Sequence, residues 1–172
     1  MARRGVGSGY SCRALKKMKL NPKATILLVE DEPSDVFLMK RALKGAQIPN
    51  PLQVARDGQE AINYLSGVGP YSDRSQFPIP SIIFLDLKLP YKTGFEILTW
   101  IRTQPHLDKT LVMVLTSSSE EKDIAQCYKL GARTFLVKPP NAGMRLELMV
   151  SLKEYWIKHN EFTLPDDGDL ES

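Results

Sequence analysis

Apolar residues gather in five short runs, and between them they recur every three or four positions. ATILLVE at 24–30 is a continuous apolar stretch with β-branched members and reads as a buried strand. PLQVAR at 51–56, SIIFLD at 81–86, TLVMVLT at 110–116 and RTFLVK at 133–138 supply four more. The first helix is predicted from Pro33 to about Gln47, with Val36, Phe37, Met39, Lys40, Leu43 and Ala46 carrying its period. Asp57 is placed to cap the second, whose Ala61, Ile62 and Leu65 share a face. The third is predicted over Thr93–Thr103. The fourth follows Ser117–Ser119, where Glu120 and Glu121 suit the positive end of a helix. The last runs from Asn141 to about Lys158, with Leu148, Met149, Leu152, Tyr155 and Trp156 as its apolar stripe.

Strands alternating with helices, joined mostly by short connections, predict an α/β fold: a doubly wound parallel sheet with helices on both faces. One connection stands out. GVGPYSDRSQFPIP at 67–80 exceeds the usual length of a link and points to function or family-specific decoration.

Ligands of such sheets collect beyond the C-terminal ends of the strands. The predicted strands end there in Glu30 and Asp31, in Asp86, in Thr116 and in Lys138. Each residue alone has a plainer explanation. Glu30 and Asp31 suit a helix cap, Asp86 and Thr116 a turn, and Lys138 a solvated position before proline. Their convergence on one rim is the signal. Three acids a few ångströms apart repel unless a pKa rises or a cation binds. All-oxygen ligation suits Mg²⁺ or Mn²⁺.

Composition narrows the class. With 172 residues, 42% hydrophobic and 25% charged, the chain has the make-up of an ordinary globular domain. The net charge of +3 hides a segregation, because residues 1–23 carry seven Lys or Arg and no acid. The remainder holds 16 basic and 20 acidic residues, a net of −4, which argues against a nucleic-acid face on the domain. Residues 1–22 are expected to be a disordered basic extension and 161–172 an acidic tail. Met18 is the expected start, with 1–17 a disordered extension. No apolar run reaches the length of a membrane span. Cys12 and Cys127 form no framework, and a reducing cytoplasm is expected. His106 and His159 are given no catalytic role.

LLVEDE at 27–32, FLDLKLP at 84–90, VLTS at 114–117 and LVKP at 136–139 resemble the receiver domain of two-component response regulators. The resemblance spans about residues 23–158, within an expected receiver domain at 23–160. It is nearer to the single-domain response regulators of cyanobacterial phytochromes, which share the FPIP loop, a late Trp (here Trp156) and a TLP segment (Thr163–Pro165). It implies a flavodoxin-like five-stranded sheet of order 2-1-3-4-5. It also implies that a sensor histidine kinase, of phytochrome type, phosphorylates Asp86. Mg²⁺ would be held by Asp31, Asp86 and the Lys88 backbone carbonyl, with Glu30 reaching it through water; Mn²⁺ would also serve. Lys138 and Thr116 would bind the phosphoryl oxygens, and Thr116 and Phe135 would form the switch. Lys138–Pro139 would be cis. Lys88, two residues past the acceptor, and Phe135, in place of a common tyrosine, depart from the usual pattern.

The resemblance implies a signalling protein and no enzyme, apart from its own phosphoryl transfer and dephosphorylation. With about sixteen residues after Trp156, output is expected through the surface of the fourth helix, fifth strand and fifth helix, by partner docking or homodimerisation. Membrane and nucleic-acid partners are not expected. The alternatives are a phosphorylation-independent adaptor and a phosphatase of the haloacid dehalogenase type. The latter would need an acid where Lys88 stands and its nucleophile on the first strand. No phosphate-binding GxxxxGK loop is present.

Overall fold

The computed structural model describes residues 23–158, with side chains to Tyr155. The expectations for residues 1–22, for the tail and for the Trp156 side chain lie outside that range. Strands β1 (Ile26–Val29), β2 (Leu52–Ala55), β3 (Ile82–Leu85), β4 (Leu111–Thr116) and β5 (Thr134–Val137) form one parallel sheet of order β2-β1-β3-β4-β5. The predicted order is therefore the observed one.

Side chains of a strand alternate between its faces, and this chain sorts them cleanly. Ile26 and Leu28, Ile82 and Phe84, and Met113 and Leu115 enter one apolar cluster with residues of α1 (Pro33–Gly45) and α5 (Ala142–Lys158). Leu27 and Val29, Ile83 and Leu85, and Val112 and Val114 enter the other. That cluster is covered by α2 (Gly58–Ser66), α3 (Gly94–Ile101) and α4 (Glu121–Lys129). The central strands β1, β3 and β4 are thus buried on both sides, which explains why they read as unbroken apolar runs, while the edge strands β2 and β5 are only partly covered.

Helix starts follow their local chemistry. Asp57 caps α2 by accepting from the Glu60 N–H at 2.7 Å. Thr93 and Glu96 close a reciprocal capping box on α3, a more complete start than the predicted Thr93 boundary required. On α5 the buried positions are Arg145, Met149 and Leu152. Tyr155, expected in that stripe, is exposed, because it falls one residue short of the next turn of the 145–149–152 series.

The long connection is not loose. Gly69–Tyr71 make a 3-10 turn, and Phe77 packs edge-on against both Tyr64 of α2 and Tyr71, whose own rings meet at a tilt of 53°. Arg74 donates to the carbonyls of Tyr64, Leu65 and Phe77, closing the C-terminal end of α2. No helix among the described residues is long and apolar enough to cross a membrane.

Candidate functional site

The sheet's alternation, carried one residue past the strand ends, decides which rim residues meet. Glu30 follows the parity of Ile26 and Leu28, Asp86 that of Ile82 and Phe84, and Lys138 that of Leu136. All three lie toward the α1/α5 side. Thr116 follows Val112 and Val114 toward the other.

Lys138 is the hub. Its Nζ lies 2.6 Å from Glu30 Oε2, 2.6 Å from Asp86 Oδ2 and 2.9 Å from Asp35 Oδ2. A lysine ammonium has three N–H donors, and three carboxylates use them. Asp86 Oδ1 accepts from the N–H groups of Leu87 at 2.6 Å and Lys88 at 3.3 Å, so its carboxylate is fixed at both oxygens. Glu30 and Asp86 are buried. Burial raises the Glu30 pKa, and the Lys138 ammonium only partly offsets this. For Lys138, burial lowers the pKa but is outweighed by hydrogen bonds to Asp86, Glu30 and Asp35, which raise it and keep the ammonium charged.

The sequence reading missed two residues. Asp35, in the first turn of α1, takes the third Lys138 donor, and Arg145 of α5 holds Asp35 Oδ1 at 2.9 Å through Nη1. Arg145 is 3% exposed and also donates through Nη2 to the Pro139 carbonyl at 3.2 Å. Burial opposes ionisation of Asp35, but Lys138 and Arg145 outweigh it and lower its pKa. A first-turn acid looks like an ordinary dipole partner, and one arginine on an amphipathic helix looks solvated. Burial between α1 and α5 supplied the distinction.

Oxygens of Glu30, Asp31 and Asp86 lie within 4.8 Å of one another. With Asp35 they make four carboxylates against the two cations Lys138 and Arg145, a formal balance of −2. Hard oxygen donors around that deficit fit a divalent cation of the Mg²⁺ or Mn²⁺ kind. The Lys88 side chain is exposed, and its N–H rather than its carbonyl makes the observed contact with Asp86.

Thr116 is fully buried, and its hydroxyl accepts from the Ser118 N–H at 3.4 Å. Its carbonyl accepts from the Lys138 N–H at 2.8 Å, tying the ends of β4 and β5 together. Phe135 is half-buried against the same apolar cluster that Thr116 faces. The two expected switch residues therefore share one side of the sheet. The Lys138–Pro139 peptide is trans, contrary to expectation, as are all peptide bonds among the described residues. Trans is the lower-energy form before proline, by a small margin. Gly94 was also missed. A Cβ there would lie 2.4 Å from the Asp86 carbonyl oxygen, so only glycine lets α3 start this close to the acid.

The family profile of the response regulator receiver domain matches residues 26–149. The chain belongs to the response regulator receiver family. Its curated relative Rcp1 from Synechocystis sp. is 36% identical over 145 residues, 84% of this chain and 95% of Rcp1. Among solved structures, the phosphorylated cyanobacterial phytochrome response regulator RcpA is 34% identical, with a TM-score of 0.73 over 83% of this chain and 99% of RcpA. The Mn²⁺-bound form of Rcp1 is 35% identical, with a TM-score of 0.71 over 83% of this chain and 99% of that one. This receiver is thus similar over most of its length to response regulators of the phytochrome type.

Proposed function

We propose that this receiver takes a phosphoryl group from a sensor histidine kinase, of phytochrome type, onto Asp86. The observation that carries the reading is the Asp86 carboxylate held by Lys138 at 2.6 Å beside Glu30 and Asp31. A carboxylate oxygen of Asp86 attacks the phosphorus of a phosphohistidine. The new P–O bond forms as the P–N bond breaks, and the electron pair leaves on the imidazole nitrogen, which is then protonated. Lys138 donates to an equatorial oxygen of the transferring group, where charge develops. The Leu87 and Lys88 N–H groups hold the plane of the attacking carboxylate. Thr116 offers its hydroxyl to a second phosphoryl oxygen after releasing the Ser118 N–H. Glu30, Asp31 and Asp86 would hold Mg²⁺, which would supply charge neutralisation when bound. The acyl phosphate ends by attack of water on phosphorus, giving inorganic phosphate and the free carboxylate. No external substrate is turned over, so the protein is read as a signalling switch in the cytoplasm.

The output surface is read as α4, β5 and α5. Tyr128, Val137 and Tyr155 are 50%, 49% and 53% exposed there and offer apolar surface to a second copy or a partner. Intact mass after incubation with acetyl phosphate and Mg²⁺ tests the reading. One added phosphoryl group, absent without metal and in Asp86→Asn, supports it. No addition from acetyl phosphate, phosphoramidate or a kinase favours an adaptor that works without phosphate.

A further inference from the structure

Two of Lys138's three partners, Glu30 and Asp86, belong to the cluster suited to a divalent cation. Asp35 does not. A cation drawn to the rim contests two of the lysine's contacts and leaves the third. We infer that Asp35 is a positioning residue, keeping the Lys138 ammonium at the phosphoryl site when the cation claims Glu30 and Asp86. Arg145 is its anchor.

The bracket is built for that task. Asp35 Oδ2 faces Lys138 and Oδ1 faces Arg145, so the carboxylate cannot turn without losing a charged hydrogen bond. Arg145 grips both the Asp35 side chain and, at 3.4 Å, the Asp35 backbone carbonyl. Its other nitrogen holds the carbonyl of Pro139, the residue next to Lys138. Residues from α1, the end of β5 and the start of α5 thus close a loop around one ammonium. Arg145 Nε has no hydrogen-bond partner, a cost the site bears to keep this guanidinium in place. Arg145 also offsets the Asp35 charge, so Asp35 adds little long-range attraction for a cation and acts chiefly through the lysine.

The inference rests on the proposed phosphoryl chemistry, and a double-mutant cycle separates the two. Wild type, Asp35→Asn, Lys138→Met and the double variant are compared by two measurements. The first is the rate of phosphorylation by acetyl phosphate at saturating Mg²⁺. The second is Mn²⁺ affinity, from the electron paramagnetic resonance signal of free Mn²⁺. With Lys138 present, Asp35→Asn is expected to slow phosphorylation about tenfold, as befits a misplaced charge. It is also expected to weaken Mn²⁺ binding several-fold, because a lysine freed from Asp35 competes harder for Glu30 and Asp86. In the Lys138→Met background both effects should shrink below about twofold. Equal losses in both backgrounds would overturn the inference and leave Asp35 a bulk charge. If the wild type takes no phosphoryl group, the proposed function fails and the Mn²⁺ cycle alone decides the role of Asp35. Should Asp35→Asn not fold, Asp35→Asn with Arg145→Met replaces it, since that pair leaves no uncompensated buried guanidinium.

Discussion

Two acids on the same lysine respond to pH in opposite ways. Asp35 has a lowered folded-state pKa. Its stabilisation is therefore fully present above the unfolded value near 3.8 and fades as pH falls through the folded one. Glu30 has a raised folded-state pKa, so the folded state keeps its proton longer and stability falls as pH rises above 4.5. Glu30→Gln should then melt no lower than wild type at pH 7, and any advantage should close as pH falls toward 4.5 and be absent below it. Thermal melts from pH 3 to 7 check this; a Glu30→Gln variant much weaker at pH 7 would mean the Lys138 contact outweighs burial. Cys127 is buried, which pushes its thiol up to about 11. The native thiol should react slowly with disulfide reagents at neutral pH and quickly after unfolding. Among these residues the rim set Glu30, Asp31, Asp86 and Lys138 was legible, because strand ends can be counted from apolar runs. Asp35 and Arg145 were not, since their importance lies in a contact between positions 110 residues apart.

Elements set the reach of those side chains. Gly94 lets α3 begin against the Asp86 segment, where a methyl group would also meet the Leu87 Cα at 2.7 Å. Gly94→Ala should cost about 1–3 kcal/mol by displacing backbone, read by urea unfolding. It should also slow phosphorylation, because Asp86 moves with that backbone. Arg74 makes three hydrogen bonds to backbone carbonyls, and Arg74→Met should cost about 1.5–3 kcal/mol, read by urea unfolding. Tyr71 of the same connection donates to Glu60, and burial with that carboxylate raises its phenol to about 12. The sign is that of a proton kept by the folded state, so stability is lost as pH rises from 10 toward 12. Tyrosine absorbance during an alkaline titration should lag accordingly. The sequence marked this connection as unusual by length, but its packing on Tyr64 follows from aromatic geometry that spacing alone does not encode.

At the scale of the molecule, the period-2 alternation of the strands divides the work. Glu30, Asp86 and Lys138 lie toward α1 and α5, where Asp35 and Arg145 meet them, while Thr116 and Phe135 lie toward α2, α3 and α4. The charge site and the expected switch thus approach one rim of the sheet from its two faces, joined there by the Lys138–Thr116 backbone bond. The fold class was legible because buried parallel strands and amphipathic helices leave distinct periods, whereas the strand order followed only from the family resemblance. The trans Lys138–Pro139 bond was not, because trans and cis differ by little energy in sequence-local terms. If α4, β5 and α5 form the output surface, sedimentation with beryllofluoride and Mg²⁺ should show a dimer that Val137→Glu abolishes. A monomer with and without beryllofluoride would count against a homodimer through that surface. The central claim is that Asp86 is the phosphoryl acceptor. Its most direct test is borohydride reduction of the phosphorylated protein, which converts an aspartyl phosphate to homoserine, followed by peptide sequencing in the mass spectrometer. Homoserine at position 86 and at no other position is the predicted result. Homoserine at Asp31 or Asp35, or a phosphorylated protein that yields none, would contradict it.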